Sequence, residues 1–132
     1  MDVLHQINSL EMKKLGLRTK KTYEKYTKFR NEGFLANGCN LCKKNKPIKE
    51  YKHWRIINNK FPWDRIAKIN HILIPKRHIV YGQLNEIEKK EFDLLKSTYV
   101  DKKYEIMVEA TDGIKSIPSH YHVHLIVVKD KI

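Results

Sequence analysis

A chain of 132 residues has room for one hydrophobic core and is short for two, so one domain with an N-terminal extension is expected. Its 41% hydrophobic content is never gathered into a run long enough to span a bilayer, and the start lacks the charged, apolar, small-residue order of a secretory leader, so the expectation is a soluble, cytoplasmic protein. The formal charge of +12 admits nucleotides, nucleic acid or other polyanions as partners; because the positive charge is spread along the chain, a generally basic surface is favoured over a dedicated nucleic-acid face.

Residues 1–37 are rich in Lys, Glu and Asn and form the extension. Leu4, Ile7 and Leu10, then Tyr23, Tyr26 and Phe29, recur at spacing three, which predicts two helical packing faces with a break at Leu15-Gly16-Leu17 and stops at Gly33 and Asn37-Gly38. Residues 38–132 form the domain proper. It opens on Cys39-Asn40-Leu41-Cys42, a spacing that in a reducing compartment suits a metal site or a redox pair better than a structural disulfide, with two buried thiols as the alternative. Tyr51 to Asn58, aromatic and branched, predicts a strand. Asn59-Lys60-Phe61-Pro62-Trp63-Asp64 reads as a loop bent at proline, and Lys68 to Pro75 as a second strand, with Ile69, His71 and Leu73 alternating against Asn70, Ile72 and Ile74.

A helix is predicted over 86–99. Asn85 followed by Glu88 makes a capping box at its start, and Ile87, Phe92, Leu95 and Tyr99 face inward. Tyr104, Ile106, Val108 and Ala110 alternate in a strand, Thr111-Asp112-Gly113 turns, and a last strand runs to about Val128. Strands that do not alternate with helices imply an α+β fold with a mainly antiparallel sheet. His5 and His53 have no motif partner and read as surface residues.

The last strand carries the most informative pattern in the chain. His120, His122 and His124 stand at alternate positions, and in an extended strand alternate side chains share one face. Three imidazoles there suit a three-ligand set for catalytic zinc. They also suit a division of labour in which one ring attacks phosphorus while its neighbours hold its tautomer and assist the leaving group.

His120-Tyr121-His122-Val123-His124-Leu125-Ile126 matches the His-φ-His-φ-His-φ-φ signature of the histidine triad (HIT) superfamily of nucleotide hydrolases and transferases, φ being apolar. Asn70-His71-Ile72-Leu73-Ile74-Pro75-Lys76-Arg77-His78 resembles that superfamily's other recurring segment, a histidine-led apolar strand ending in Pro-Lys-x-His. The resemblance runs from about Cys39 to Leu125. It implies a HIT-like α+β domain with an antiparallel sheet of about five strands and a packed helix. It makes His122 the nucleophile toward the α-phosphorus of a nucleotide and His124 the residue that hydrogen-bonds the leaving-group oxygen. Transferase branches often carry Gln at that third position, so His124 tilts the reading toward a hydrolase; a nucleotidyl transferase with a phosphate or sugar-phosphate acceptor is the first rival. The second is a non-catalytic, basic, zinc-stabilised nucleic-acid-binding module.

Zinc-containing HIT proteins and the related galactose-1-phosphate uridylyltransferases carry a similar cysteine pair. By that resemblance His78 and His120 complete a structural Zn2+ site with Cys39 and Cys42, closed because four protein ligands leave no position for water. The resemblance further puts His71 at the edge of the active site. It places Asn59 and Phe61, with Trp63 as an alternative stacking partner, against the base and ribose, and Ser116 and Ser119 near the α-phosphate. An Asn-rich turn sealing the core is the alternative for the loop. Lys115-Ser116-Ile117-Pro118-Ser119 departs from the common Gly-Gln-Ser-φ-φ-His form, and eight residues follow His124, fewer than in many relatives, so substrate identity and a homodimer are left open.

Overall fold

Ala67–Pro75 is apolar on both faces from Ile72 onward, as a strand covered on both sides must be, and it forms the longest strand, β3, in the middle of a five-stranded sheet. The computed structural model describes residues 16–32, 39–42, 46–111 and 117–130. β1 (Lys49–Glu50) and β2 (Trp54–Asn58) precede β3 in the chain, and β4 (Ile106–Val108) and β5 (Val123–Val128) follow it. The spatial order is β1-β2-β3-β5-β4 and every neighbouring pair is antiparallel. This is the α+β architecture and strand count expected from the sequence.

The boundaries differ where local hydrogen bonding overrides the residue pattern. Tyr51 N–H donates to the Trp54 carbonyl at 2.8 Å, closing a tight turn, so the strand expected from Tyr51 begins at Trp54 and the turn adds the short β1. The strand expected over 104–110 shortens to Ile106–Val108. β5 begins at Val123; of the two histidines before it, His120 sits in a bend and His122 in irregular chain, and Tyr121 N–H between them donates to the Ile79 carbonyl just beyond β3. The expected turn at Asp112-Gly113, the first helical face and the stops at Gly33 and Asn37-Gly38 lie outside the described residues.

The second half of the expected extension is helix α1 (Lys20–Asn31), capped by the Thr19 hydroxyl accepting from Thr22 N–H. The helix does not stand apart from the domain. Asp64, in the loop between β2 and β3, accepts from Thr19 N–H and from the hydroxyls of Thr19 and Thr22, while the Tyr26 and Phe29 rings pack on Phe61.

Helix α2 (Glu86–Leu95) starts with the expected capping box: Glu88 N–H donates to the Asn85 side chain and Asn85 N–H to the Glu88 carboxylate. Ile87, expected inward, is 62% exposed, and Glu88 is the buried residue of that turn. A two-point bridge from Arg77 holds the Glu88 carboxyl below the usual carboxylate range and ties the helix start to the Lys-x-His end of β3. Beyond Leu95 the helix widens into a π-helical stretch, Lys96–Val100, with the Ser97 and Thr98 hydroxyls on the Leu94 carbonyl. A π turn brings residues five apart into line, so Val100 rather than Tyr99 is the buried partner of Leu95.

The sheet has two covered faces. Trp54, Ile56, Leu73, Tyr121, Val123 and Leu125 meet Leu95 and Val100 on one side. On the other, Leu41 covers Ile57, Ile72 and Ile74, and Trp63 covers Ala67 and Ile126 with Leu17 alongside. The second face carries the chemistry.

Candidate active site and metal centre

Register decides which polar residues meet. Directly opposed residues of an antiparallel pair face the same side, and β3 sets Ile72 against His124 and Asn70 against Ile126, whereas His71 opposes Leu125. His122 and His124 therefore share their face with Asn70, and the two rings lie 5.7 Å apart between centroids. His71 points to the helix-covered face, where its Nδ1 meets the Tyr104 hydroxyl at 2.6 Å. Burial lowers the His71 pKa and, with Tyr99 and Tyr51 nearby, raises that of Tyr104. The structure does not bring His71 to the other histidines; its sequence neighbour Asn70 takes that place.

The protonation of both rings follows from their partners. His122 Nδ1 lies 2.8 Å from the His120 carbonyl oxygen, which only accepts, so Nδ1 carries the hydrogen and the lone pair sits on Nε2. For His124 the logic begins one shell away. Asn70 Oδ1 accepts from Trp63 N–H at 2.9 Å and from Asn59 Nδ2 at 3.0 Å, which fixes the orientation of the amide. Asn70 Nδ2 then donates to His124 Nδ1 at 3.1 Å, and the hydrogen of the neutral ring is left on Nε2. The two adjacent rings thus hold opposite tautomers.

His124 is 5% exposed and stacked on the Trp63 indole, with centroids 3.7 Å apart and planes 22° from parallel. Burial, then His122, then the Arg18 guanidinium push its pKa down to about 3. The folded state thus refuses a proton that the unfolded chain accepts near pH 6.5, and stability present above pH 6.5 is lost as pH falls toward 3. At about 1.4 kcal/mol per unit the loss is on the order of 5 kcal/mol. Urea midpoints of the wild type and His124→Gln between pH 7.5 and 4 check this: the gap between the two proteins is expected to shrink with falling pH, and parallel curves would contradict it.

A second cluster lies two residues upstream. Among the described residues Cys39, Cys42, His78 and His120 are brought together, one ligand atom from each lying within 4.8 Å of all the others. His120 Nδ1 is 3.5 Å from Cys39 Sγ and 3.3 Å from Cys42 Sγ, and His78 Nδ1 is 3.1 Å from Cys42 Sγ. His120 is 1% exposed, and its Nε2–H donates to the Pro75 carbonyl at 2.9 Å, so the ring presents the Nδ1 lone pair to the sulfurs. Burial, then the hydrogen bond and charge of Cys39, push the Cys42 thiol up to about 11. Four soft and borderline donors in this arrangement fit a metal ion. The cysteine segment is held down by Leu41, whose side chain packs on Ile57, Ile72 and Ile74 and whose carbonyl accepts from Arg55.

No protein-family model matches the chain, and neither does any curated protein. Solved structures do match it. A HIT family hydrolase from Clostridium thermocellum superposes with a TM-score of 0.51 at 17% identity, over 72% of this chain and 94% of that one. A HIT family hydrolase from Legionella pneumophila Philadelphia 1 gives a TM-score of 0.50 at 17% identity, over 72% and 96%. The chain adopts the HIT fold.

Within this HIT fold the remaining expected site residues divide. Asn59 is buried, donates to Asn70 and accepts from Phe61 N–H at 3.1 Å, so its amide shapes the loop and orients Asn70. Phe61 is half-buried against Tyr26 and Phe29, and Trp63 lies on His124 rather than open to a ligand. Ser119 is exposed beside His120, and Ser116 lies outside the described residues. Asn70 was missed from the sequence. Asn70 had a signal, an asparagine amid the apolar run of β3, but its partner depends on register. No described helix is long and apolar enough to cross a membrane.

Proposed function

We propose that this protein is a HIT-family nucleotide hydrolase that acts at the α-phosphate of a nucleoside phosphate derivative through a covalent nucleotidyl-His122 intermediate. The observation that carries the reading is the pair of opposite tautomers: a lone pair on His122 Nε2 beside a hydrogen on His124 Nε2. In the first step His122 Nε2 attacks phosphorus, the bond from phosphorus to the leaving oxygen breaks, and that oxygen departs with the electron pair while His124 Nε2–H hydrogen-bonds it. His122 retains its Nδ1 hydrogen on the His120 carbonyl, which steadies the positive charge the ring acquires. Water then attacks phosphorus, the P–N electrons return to Nε2, and one water proton passes to solvent as the mononucleotide leaves. Ser119 is assigned to the phosphate side.

The metal is assigned as zinc and its role as structural. Zn–S near 2.3 Å and Zn–N near 2.0 Å in a tetrahedron give sulfur–nitrogen edges of about 3.5 Å, close to the 3.1, 3.3 and 3.5 Å separations present. Four protein ligands close the coordination sphere; bound zinc supplies a rigid crosslink and no Lewis acid for the reaction.

The test is to mix the purified protein with a panel of nucleoside 5′-phosphate derivatives, quench without acid and measure intact mass. A nucleotidyl increment localised to His122, with free mononucleotide accumulating, is expected. Neither adduct nor turnover across the panel, from folded metal-loaded protein, would sink the reading. Transfer to added phosphate in preference to water would replace hydrolase with transferase.

A further inference from the structure

Helix α1 starts against its own dipole. Its first turn carries Lys20 and Lys21 and no acidic residue, whereas the N-terminal end of a helix favours negative charge. The missing anion comes from a distant part of the chain. Asp64, in the loop between β2 and β3, accepts from Thr19 N–H at 2.9 Å, from the Thr19 hydroxyl at 3.1 Å and from the Thr22 hydroxyl at 2.5 Å. Burial alone would raise the Asp64 pKa; the bonds from Thr19 and Thr22 outweigh it and hold the carboxyl below its usual range, so the group is charged at neutral pH.

The residue before Asp64 is Trp63, whose indole lies on His124 with centroids 3.7 Å apart. The turn that carries both is closed: the Trp63 carbonyl accepts from Ile66 N–H at 3.2 Å and from Ala67 N–H at 2.9 Å, and Trp63 N–H donates to Asn70. A carboxylate held in such a turn shares its backbone position with the indole next to it. The loop is gripped at two further points, by Arg18 Nε on the Phe61 carbonyl at 2.9 Å and by Arg65 N–H on the Leu17 carbonyl at 3.2 Å. Leu17 packs on the cluster of Trp63, Ala67 and Ile126. Asp64 is the tie that joins this loop to the start of the helix.

We propose that Asp64 is a positioning residue: by capping α1 it clamps the N-terminal segment over the Trp63 loop and keeps the indole stacked on His124. The stack and the Asn70 bond together fix the plane of a ring that is 5% exposed. The N-terminal segment is then part of the wall of the site. The consequence for turnover, though not the clamp itself, rests on the nucleotidyl-histidine reading above.

Asp64→Ala removes these bonds, Asp64→Asn keeps one acceptor oxygen without the charge, and Thr22→Val removes the Thr22 bond as a milder variant should Asp64→Ala not fold. The carbon-bound ring hydrogens of His124 are followed by NMR, because a stacked indole moves their signals upfield; His124→Gln assigns them and Trp63→Leu gives the unstacked position. Asp64→Ala is expected to move the His124 signals most of the way to those of Trp63→Leu, and Asp64→Asn and Thr22→Val part of the way. On a substrate that the wild type turns over, Asp64→Ala is expected to lose about 10- to 100-fold, the effect of a small misplacement near the chemistry, with the loss in kcat rather than KM. A purely structural Asp64 would lower the melting temperature and leave the His124 signals of the folded protein in place. Unmoved signals in folded Asp64→Ala, or in both milder variants if it does not fold, would overturn the proposal. Moved signals with unchanged kcat would overturn the role of the clamp in the reaction. If the signals move but the wild type forms no His122 adduct, the clamp stands and the nucleotidyl-histidine reading falls.

Discussion

On the proposed nucleotidyl-histidine route, His122→Ala is expected to fold, keep its metal and lose turnover by about 10⁴-fold or more, because that route draws the attacking lone pair from His122 Nε2. The geometry makes this specific to one atom. His120 holds His122 Nδ1–H through its backbone carbonyl, and Asn70 has already committed His124 to the tautomer that donates from Nε2, so His124 cannot take over as nucleophile without turning its ring away from Asn70. Stability should change modestly by comparison, since the buried His122 ring belongs to none of the apolar clusters and its removal costs the hydrogen bond to the His120 carbonyl rather than core packing. Single-turnover rates and intact mass check both halves. The variant should show no nucleotidyl increment, and added imidazole should restore part of the first step by filling the space with a free nucleophile. A His122→Ala protein that still acquires a nucleotide would place the nucleophile elsewhere.

The second large effect concerns the metal cluster. Cys39→Ser with Cys42→Ser is expected to release the metal and lower the melting temperature by at least about 10 °C, since one kcal/mol moves a domain of this size by roughly 3 °C and a closed zinc site contributes several kcal/mol. Among its other contacts, the segment carrying both sulfurs packs through Leu41 and Cys39 on Ile57, Ile72 and Ile74, and the Leu41 carbonyl accepts from Arg55. Activity should fall with it, and the route is visible in one residue. The His120 ring faces the thiols while the His120 carbonyl holds the His122 tautomer, so a His120 that is no longer pinned loosens His122, the proposed nucleophile, two residues away. Metal analysis of protein purified without chelator, and melting curves with and without added zinc, test it. Metal-free wild type with a melting temperature indifferent to chelator would refute it.

Much of this was legible from residue types and spacing, because the chemistry needs particular side chains and those are written in the chain. The capping box Asn85-x-x-Glu88, the long apolar strand ending at Pro75 and the cysteine pair follow from local pattern, the strand count and the pairing of those cysteines with His78 and His120 follow from the family resemblance, and each is present in the folded chain. What failed did so for identifiable reasons. Ile87 was expected inward on helical spacing, but Glu88 is drawn in by Arg77 and the capping box. Tyr99, expected inward, does pack half-buried on the core, and the π turn adds Val100 as the fully buried partner of Leu95. His71 was placed with the other histidines by resemblance, and the β3–β5 register puts it on the far face.

The sequence by itself determined the elements, the α+β class, and the supply of imidazoles and thiols, since these depend on periodicity and composition over a few residues. Only the tertiary structure decided what each group does. A one-residue difference in register selects Asn70 over His71 as the neighbour of His124, and a hydrogen bond between residues 54 apart sets the tautomer of that ring. The docking of an N-terminal segment onto a loop more than forty residues away sets Arg18 on the Phe61 carbonyl. Proton positions and fields come from groups distant in the chain, and local pattern carries no information about distances the fold has yet to close.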